Sequence, residues 1–460
     1  MPISAHERHL MNGGLLRPVS KTLTDTTIHP FASLAARPTA SEFGIGHASI
    51  VTATYRINCS SDGVSWDSHG SSDSIADRPS AAALGKGSWQ VGNSVEYSDG
   101  VAYVNPANTK QPTLVWDAAK AKASSGFGNA KVLFLGDSIT AGAFATNGTS
   151  YANAKINATP AHIAAKMAAN GFATSKSSWF GMQNQGTVAA LATYDPRLSF
   201  GADWASINGT KSLGGDLVVN AASASTTALS FTPTEAFDTI DIYYVRNTSY
   251  GSFTVDIGAG VIATQSATGS TGVLVLSLTV ASGLHTVNIS HVAGTGSAAI
   301  VGMSCYTNNS EVQVINAGLP GALATTLFTG TGFSPEAAIN TLNPDLTVIN
   351  LTTNDAQALI ATATAMASLQ VIIDRCLLSG DVVLCVPNPV SSNVATAEEY
   401  YTAIRLLGSE NSLNVFDYST GLGVDWAVVN ANGLMKDALH PKQAGYKAIA
   451  DIAGSYGVLY

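Results

Sequence analysis

The stretch that decides the fold of this chain is KVLFLGDSIT, residues 131–140. Four apolar residues in a row, 132–135, stop abruptly at Gly136-Asp137-Ser138. A short apolar run bounded by a turn residue is typical of a buried strand. Open α/β sheets bind their ligands at the carboxyl ends of such strands. The stretch therefore predicts a parallel sheet that presents Ser138 at its ligand-binding edge.

The strand and helix pattern continues after this stretch and resumes in the C-terminal third. A helix is predicted at 160–170, behind the first strand, and a final helix at 441–455, with Pro441 at its start. Strands alternating with helices describe an α/β fold, here a flavodoxin-like, doubly wound parallel sheet. The further strands are predicted at 312–316, 346–351, 382–386 and 413–417, and the further helices at 361–378 and 397–407.

Residues 178–309 have a different character, with short strand-like segments separated by Gly, Ser, Thr and Asn. Phe253, Val255 and Ile257 alternate with polar residues, which is the period of a half-buried antiparallel strand. About eight such segments predict an inserted β-sandwich, jelly-roll-like and a candidate carbohydrate-binding domain. Its Tyr243, Tyr244 and Tyr250 could stack on sugar rings, although packing in the core or at the rim of the sandwich is the more frequent fate of such aromatics.

The N-terminal part contains a short internal repeat. The segment that starts at Arg37-Pro38 is echoed by one that starts at Arg78-Pro79, and each copy ends in Ser-Asp-Gly, at 61–63 and 98–100. Ser-Asp-Gly is typical of a hairpin turn, so each copy predicts a small β-hairpin module that needs a partner surface. The predicted domains are an arm or attachment segment at 1–35, two hairpin modules at 36–125, a hydrolase domain at 126–177 and 310–460, and the insert at 178–309.

Composition excludes several classes of function. The formal net charge is −9, only 12% of residues are charged, and no Lys/Arg run occurs, which argues against nucleic-acid binding. No apolar stretch is long enough to span a membrane, and the N-terminus lacks the apolar core of a secretory signal. The cysteines lack metal-ligand spacing, so we expect buried, reduced thiols at Cys59, Cys305, Cys376 and Cys385, with a disulfide as the alternative.

A serine nucleophile needs a base within hydrogen-bond reach, and that base must be oriented by a third group. Of the nine histidines, only His440 has an orienting carboxylate close by, in Asp437-Ala438-Leu439-His440-Pro441. Asp and His three residues apart in a loop can bring the carboxylate to imidazole Nδ1 and leave Nε2 facing the serine. We therefore predict Ser138, Asp437 and His440 as the catalytic residues.

Four sequence blocks resemble, in the same order, those of the SGNH (GDSL-type) hydrolase superfamily of serine esterases. They are GDS at 136–138, NAGLPG at 316–321, TTND at 352–355 and DALHP at 437–441. The resemblance implies an oxyanion hole formed by the N–H groups of Ser138 and Gly321 and by the side chain of Asn354. Thr352 stands where the family usually has glycine, and a β-branched residue there predicts a strand-like backbone that narrows the pocket floor.

No metal and no organic cofactor is implied by this chemistry. His285 and His291 lie at same-face spacing in the insert, so a metal pair there is an alternative to ordinary surface or core histidines, which are the more frequent case.

The predicted function is that of a serine esterase that removes O-acetyl groups from a bacterial surface polysaccharide through a covalent acyl-enzyme. The N-terminal repeats resemble short β-modules of bacteriophage tail fibres and tailspikes, many of which are trimers. This resemblance implies a homotrimer in the virion tail, made in the host cytoplasm, with other phage tail proteins as partners. Alternatives are an ordinary β-rich N-terminal domain of a cytosolic or secreted enzyme, a lipase- or thioesterase-like acyl hydrolase, and a receptor-binding adhesin without activity.

Overall fold

The computed structural model describes residues 111–146, 151–221 and 227–460, and the backbone of strands between 28 and 104. The chain forms two compact units. One comprises Met1–Gln111 with Ser409–Ser412, and the other comprises Pro112–Gly408 with Leu413–Tyr460. The larger unit contains both the α/β part and the insert. The predicted domain boundaries themselves stay predictions.

The described strands of the N-terminal unit form two sheets with a repeated pattern, in which a parallel pair is followed by an antiparallel pair. Ser98 and Asp99 end the strand Ser94–Asp99, which pairs antiparallel with the next strand, Tyr103–Val104. Gly100 lies outside the described residues, and the predicted turn at 98–100 stays a prediction. Residues 61–63 and the segments that begin at Arg37 and Arg78 lie outside the described residues. The sheets are Ile28–Phe31, Ala48–Val51 and Arg56–Cys59, and Ser68–Ser72, Lys86–Val91, Ser94–Asp99 and Tyr103–Val104.

The predicted parallel α/β sheet is confirmed. Gly136, at the end of the central strand, pairs in register with Gly318 on one side and with Asn350 on the other. The three strands therefore end at the same level, and the segments that follow them meet at one edge of the sheet. In spatial order the strands are Asn414–Asp417, Asp381–Val386, Leu346–Asn350, Ala130–Gly136, Val312–Gly318 and the short Thr174–Ser175.

The central strand is buried on both faces, which explains its unbroken apolar run. Val132 and Phe134 belong to one core cluster, and Leu133 and Leu135 to the other. Each fully buried side chain of this size contributes roughly 1.5–3 kcal/mol. The first cluster is covered by the helices Leu114–Ser124, Thr159–Ala169 and Gln443–Ser455, and the second by Pro335–Leu342, Thr362–Cys376 and Val394–Glu410.

The insert consists of two antiparallel sheets, as a β-sandwich requires, and the jelly-roll connection of its strands stays a prediction. Tyr243 and Tyr244 are buried in its core and do not face solvent, whereas Tyr250 is half-buried. One helix, Val188–Tyr194, was not predicted. The first sheet contains Ser178–Phe180, Trp204–Ser212, Gly215–Asn220, Phe237–Arg246, Gly272–Gly283 and Ala298–Tyr306, and the second Leu198–Phe200, Ala228–Phe231, Ser252–Asp256, Val261–Ser266 and Val287–His291.

Short helices complete the larger unit: Ser138–Ala141, the 3-10 helix Lys155–Asn157, Ala324–Leu327, Thr353–Gln357, Tyr418–Leu422 and Trp426–Ala431. Within the described part of the chain, no helix has the length and apolar character needed to cross a membrane. Cys305, Cys376 and Cys385 are free, buried thiols, and the Cys59 side chain lies outside the described residues.

Candidate active site

The turn after the central strand places Ser138 at the start of the helix Ser138–Ala141. Gly136 has no room for a side chain, because a Cβ there would lie 2.5 Å from the Asn350 carbonyl oxygen. Asp137 caps the helix through a carboxylate oxygen that accepts a hydrogen bond from the Ile139 N–H at 2.9 Å. The sequence Gly-Asp-Ser thus gives a tight passage from strand to helix with the serine at its first position.

The carboxyl of Asp137 is completely buried beside the serine. This burial raises its pKa to about 6, although the Ile139 N–H and the nearby His440 oppose the rise. Above that pH the Asp137 carboxylate that caps the turn is a buried charge, which destabilises the folded chain.

Ser138, His440 and Asp437 lie in one hydrogen-bonded row. Ser138 Oγ is 2.9 Å from His440 Nε2, and His440 Nδ1 is 3.0 Å from Asp437 Oδ2. Burial by itself would raise the pKa of Asp437, but hydrogen bonds from the N–H groups of His440 and Leu439 and from the imidazole outweigh it and lower the pKa. The carboxylate is thus ionised at neutral pH, and the imidazole can take a proton from the serine.

The loop that carries Asp437 and His440 is held at several points. The Lys436 N–H donates to the His440 carbonyl at 2.8 Å, and Met435 and Pro441 form an isolated bridge across the loop. The indole N–H of Trp426 donates to the Asp437 carbonyl at 3.0 Å. The final helix accordingly begins at Gln443, two residues after the predicted start.

Phe144 is a site residue that the sequence did not single out. Its ring meets the His440 imidazole edge to face, with 5.4 Å between the ring centres. Its φ is +62°, a left-handed conformation that is unusual for a bulky side chain. The backbone is therefore strained at the residue whose ring packs against the His440 imidazole.

The loop after strand Val312–Gly318 passes beside the nucleophile turn. The Leu319 N–H donates to the Gly136 carbonyl at 2.8 Å, and a Cβ on Gly318 would lie 2.1 Å from the Ala141 nitrogen. Gly321 is exposed at the end of this loop, with φ +78°. Among the described residues, no acceptor pairs with the N–H of Ser138 or of Gly321. Both N–H groups can therefore bind a ligand oxygen.

Asn354 lies in the helix Thr353–Gln357 and is half-buried. Its side-chain amide donates to the Ala322 carbonyl at 2.9 Å, which leaves its second N–H for a ligand. The predicted strand-like backbone at Thr352 is wrong, because Thr352 has φ +89°, a left-handed conformation. The chain turns sharply there from strand into helix, which explains why glycine suits this position.

Asp355 is a further residue that the sequence did not single out. It is fully buried, and its carboxylate accepts the N–H of Ala324 at 2.8 Å and the hydroxyl of Thr325 at 3.1 Å. These two hydrogen bonds join the Asn354 turn to the segment that follows Gly321. The two predicted oxyanion segments are thereby tied to each other.

The histidines of the insert are paired with main-chain oxygens. His291 Nε2 is 2.6 Å from the Gly296 carbonyl, and His285 Nε2 is 2.9 Å from the Ala281 carbonyl. Within the described residues, no group of three His, Cys, Asp or Glu side chains is arranged to hold a metal ion.

The chain is similar to a known protein family and to several solved structures. Residues 290–448 match the model of the GDSL-like Lipase/Acylhydrolase family. Among curated proteins, none matches the chain. A solved peptidoglycan O-acetylesterase is similar in fold, with a TM-score of 0.56 and 16% identity over 75% of this chain and 95% of that chain.

Two other solved structures align over a smaller part. A lipolytic protein of the G-D-S-L family from Desulfitobacterium hafniense has 23% identity and a TM-score of 0.28, over 32% of this chain and 81% of its own. A carbohydrate esterase of family 3 from Talaromyces cellulolyticus has 19% identity and a TM-score of 0.27, over 32% of this chain and 70% of its own. The family match over residues 290–448 supports a carboxylic ester hydrolase.

Proposed function

We propose that the protein is a serine esterase that removes O-acetyl groups from a bacterial surface polysaccharide through a covalent acyl-enzyme. The observation that carries this proposal is the row of hydrogen bonds from Ser138 Oγ through His440 to Asp437, at 2.9 and 3.0 Å. These are the distances at which a histidine can remove a serine proton while a carboxylate fixes its tautomer.

In the first half of the proposed reaction, Ser138 Oγ attacks the carbonyl carbon of the acetyl ester and its proton moves to His440 Nε2. The carbonyl oxygen becomes negatively charged and is stabilised by the N–H groups of Ser138 and Gly321 and by the side chain of Asn354. Each preorganised donor of this kind contributes about 3 kcal/mol to the transition state. The bond to the sugar oxygen then breaks, that oxygen takes the proton from His440, and the acetyl group stays on Ser138.

In the second half, a water molecule gives a proton to His440 Nε2 and attacks the acetyl carbonyl. The bond to Ser138 Oγ breaks, the serine takes its proton back, and acetate leaves. Asp437 stabilises the imidazolium in both halves, because its lowered pKa keeps it ionised while the histidine is charged.

Two observations support a small acyl group carried on a polymer. The site is open, since the His440 side chain is 18% exposed and Gly321 lies at the surface. The fold likeness to a peptidoglycan O-acetylesterase covers 75% of this chain, a larger share than the α/β part alone, so the β-rich insert is part of it. We also propose that the insert binds the sugar chain. Its buried Tyr243 and Tyr244 cannot supply the surface on which sugar rings stack.

A place in a bacteriophage tail, as a homotrimer that contacts other tail proteins, is also part of the proposal. The repeated pairing pattern of the two N-terminal sheets supports it, because each sheet has few strands and needs a partner surface. Sedimentation equilibrium of the full chain tests the trimer, and a monomer at micromolar concentration would contradict it.

The activity is tested with p-nitrophenyl esters and with acetylated bacterial polysaccharides, with the Ser138→Ala variant as control. We expect release of p-nitrophenol from the acetate and release of acetate from at least one polysaccharide, both abolished in the variant. Faster turnover of a dodecanoate than of the acetate would contradict the acetyl specificity. Polysaccharide binding without any serine-dependent hydrolysis would instead indicate an adhesin.

A further inference from the structure

A loop of the insert lies directly against the proposed oxyanion loop. Residues 181–185 leave the strand Ser178–Phe180 and pass beside residues 318–321. Two consecutive side chains of this loop, Gln183 and Asn184, each donate a hydrogen bond to a carbonyl oxygen of the oxyanion loop. The insert therefore contacts the proposed oxyanion loop directly through these two side chains.

Asn184 makes the more informative of the two contacts. Its Nδ2 donates to the Pro320 carbonyl oxygen at 3.0 Å. That carbonyl and the Gly321 N–H belong to the same peptide group, which is planar. Fixing the direction of the carbonyl therefore fixes the direction of the N–H. A hydrogen bond to the carbonyl also polarises the amide and makes its N–H a better donor.

Gln183 contacts the start of the same loop. Its side chain is completely buried, and its Nε2 donates to the Gly318 carbonyl at 3.2 Å. Its Oε1 accepts a hydrogen bond from the buried Lys155 at 3.1 Å, and Lys155 lies 3.9 Å from the buried carboxylate of Asp195. A chain of buried polar groups thus fixes the start of the oxyanion loop, and Asn184 fixes its end.

The backbone of the insert loop is held in an unusual conformation to make these contacts. Gln183 and Asn184 have φ values of +44° and +51°, both left-handed. The Gln183 N–H donates to the Gly214 carbonyl at 2.8 Å, which braces the loop against the neighbouring strand turn. Left-handed residues outside glycine persist only where surrounding contacts hold them, and they cluster at functional sites.

We propose that Asn184 is a positioning residue that orients the Gly321 N–H toward the oxyanion, and that the insert thereby takes part in catalysis. This inference rests on the proposed function. Asn184 acts through the Pro320–Gly321 peptide and does not touch the reacting atoms. Its loss should affect the step in which the oxyanion forms and leave ground-state binding of the ester almost unchanged.

The expected effect is smaller than the loss of an oxyanion donor, which lowers kcat by roughly 10²–10³-fold. Without Asn184 the Gly321 N–H is still present but no longer fixed in direction. We therefore expect kcat for p-nitrophenyl acetate to fall about tenfold, while KM stays within about twofold. The inhibition constant of a trifluoromethyl ketone, which forms an oxyanion on the serine, should rise by the same factor as kcat/KM falls.

Two variants make the test. Asn184→Gly keeps the left-handed backbone and removes the side chain without adding a charge. Asn184→Asp keeps the shape but replaces the donor by a negatively charged acceptor, so its loss of rate should be at least as large. Asn184 is exposed, so we expect both variants to fold, as checked by circular dichroism and melting temperature. Asn343→Asp is the matched control, because Asn343 is also exposed and left-handed, at φ +49°. It lies before the amino end of the strand Leu346–Asn350, whereas the site lies at the carboxyl ends of the strands.

A parallel loss of kcat and of ketone affinity in both Asn184 variants, with the Asn343 variant unchanged, is the expected result. Rates within twofold of wild type in both variants, or a loss confined to KM, would overturn the positioning role while the esterase itself stands. A wild-type protein no more active than Ser138→Ala would instead overturn the proposed function and this inference with it.

Discussion

Replacing Asp137 by asparagine should stabilise the protein, and more strongly at pH 8 than at pH 5. Asp137 is fully buried, and burial raises its pKa from 3.8 to about 6 in the folded chain. An acid whose pKa is raised on folding is protonated in both states below about pH 4, where it costs nothing. Folding stability then falls as the pH rises from about 4 to about 6, and it stays lowered above that range.

The size of the effect follows from the shift. A rise of about two pKa units corresponds to about 3 kcal/mol at pH 8 and to about half of that at pH 5, where the folded carboxyl is still mostly protonated. Asparagine fits the same space and keeps an oxygen for the Ile139 N–H, which Asp137 binds at 2.9 Å. We therefore expect the variant to gain up to about 3 kcal/mol at pH 8 and about half as much at pH 5.

Urea unfolding at both pH values, followed by circular dichroism, measures the gain. Asp425→Asn is the matched control, because Asp425 also caps a short helix, through the Ala427 N–H at 2.7 Å, but is exposed. That variant removes a charged cap without relieving a buried charge, so a small loss of stability is expected. An Asp137 variant that is no more stable than wild type at pH 8, or equally stabilised at both pH values, would show that the buried carboxylate does not destabilise the fold.

Three further substitutions test the supports of the site. Trp426→Phe removes the hydrogen bond to the Asp437 carbonyl, worth about 1 kcal/mol, and should lower kcat/KM about fivefold with little change in KM. Phe144→Leu removes the edge-to-face contact with His440, worth about 1 kcal/mol, and should lower kcat by a similar factor. Thr352→Gly should change the free energy of unfolding by less than about 1 kcal/mol, because relieved backbone strain offsets the lost side-chain burial.

Each of these variants has a control in the same chain. Trp204→Phe also loses an indole hydrogen bond, to the Thr227 carbonyl in the insert, and should leave the rate unchanged. Phe127 is 84% exposed, so Phe127→Leu should leave kcat unchanged. Thr353→Gly, at the first position of the adjacent helix, should be clearly destabilising, because it removes a buried side chain without relieving a left-handed backbone. A Trp426 or Phe144 variant as active as its control, or a Thr352 variant as destabilised as the Thr353 variant, would contradict the corresponding prediction.

Much of the fold could be predicted because the central strands are buried on both faces, and such strands appear as unbroken apolar runs. The helix Leu114–Ser124 was missed, since its alanines and lysines carry a weak pattern and its position depends on distant contacts. Its Trp116 donates an indole hydrogen bond to the Val458 carbonyl at 3.0 Å, more than three hundred residues away along the chain. No local signal records such a contact.

The candidate site was predictable where its residues occur in compact blocks. Ser138 follows a recognisable strand, and Asp437 and His440 lie three residues apart, so their chemistry could be deduced from spacing. Phe144 and Asn184 could not, because only the folded chain brings the first against an imidazole and the second against the Pro320 carbonyl. The left-handed backbone of Thr352 was mispredicted, because threonine itself favours extended conformations.

We propose that the reaction passes through an acyl group on Ser138. Rapid acid quenching of the enzyme during turnover of p-nitrophenyl acetate, followed by peptide mass spectrometry, tests it most directly. We predict an acetyl group on the peptide that contains Ser138, absent from the Ser138→Ala variant. Steady hydrolysis by that variant, or an acetyl group trapped on a different residue during turnover, would show that Ser138 is not the nucleophile.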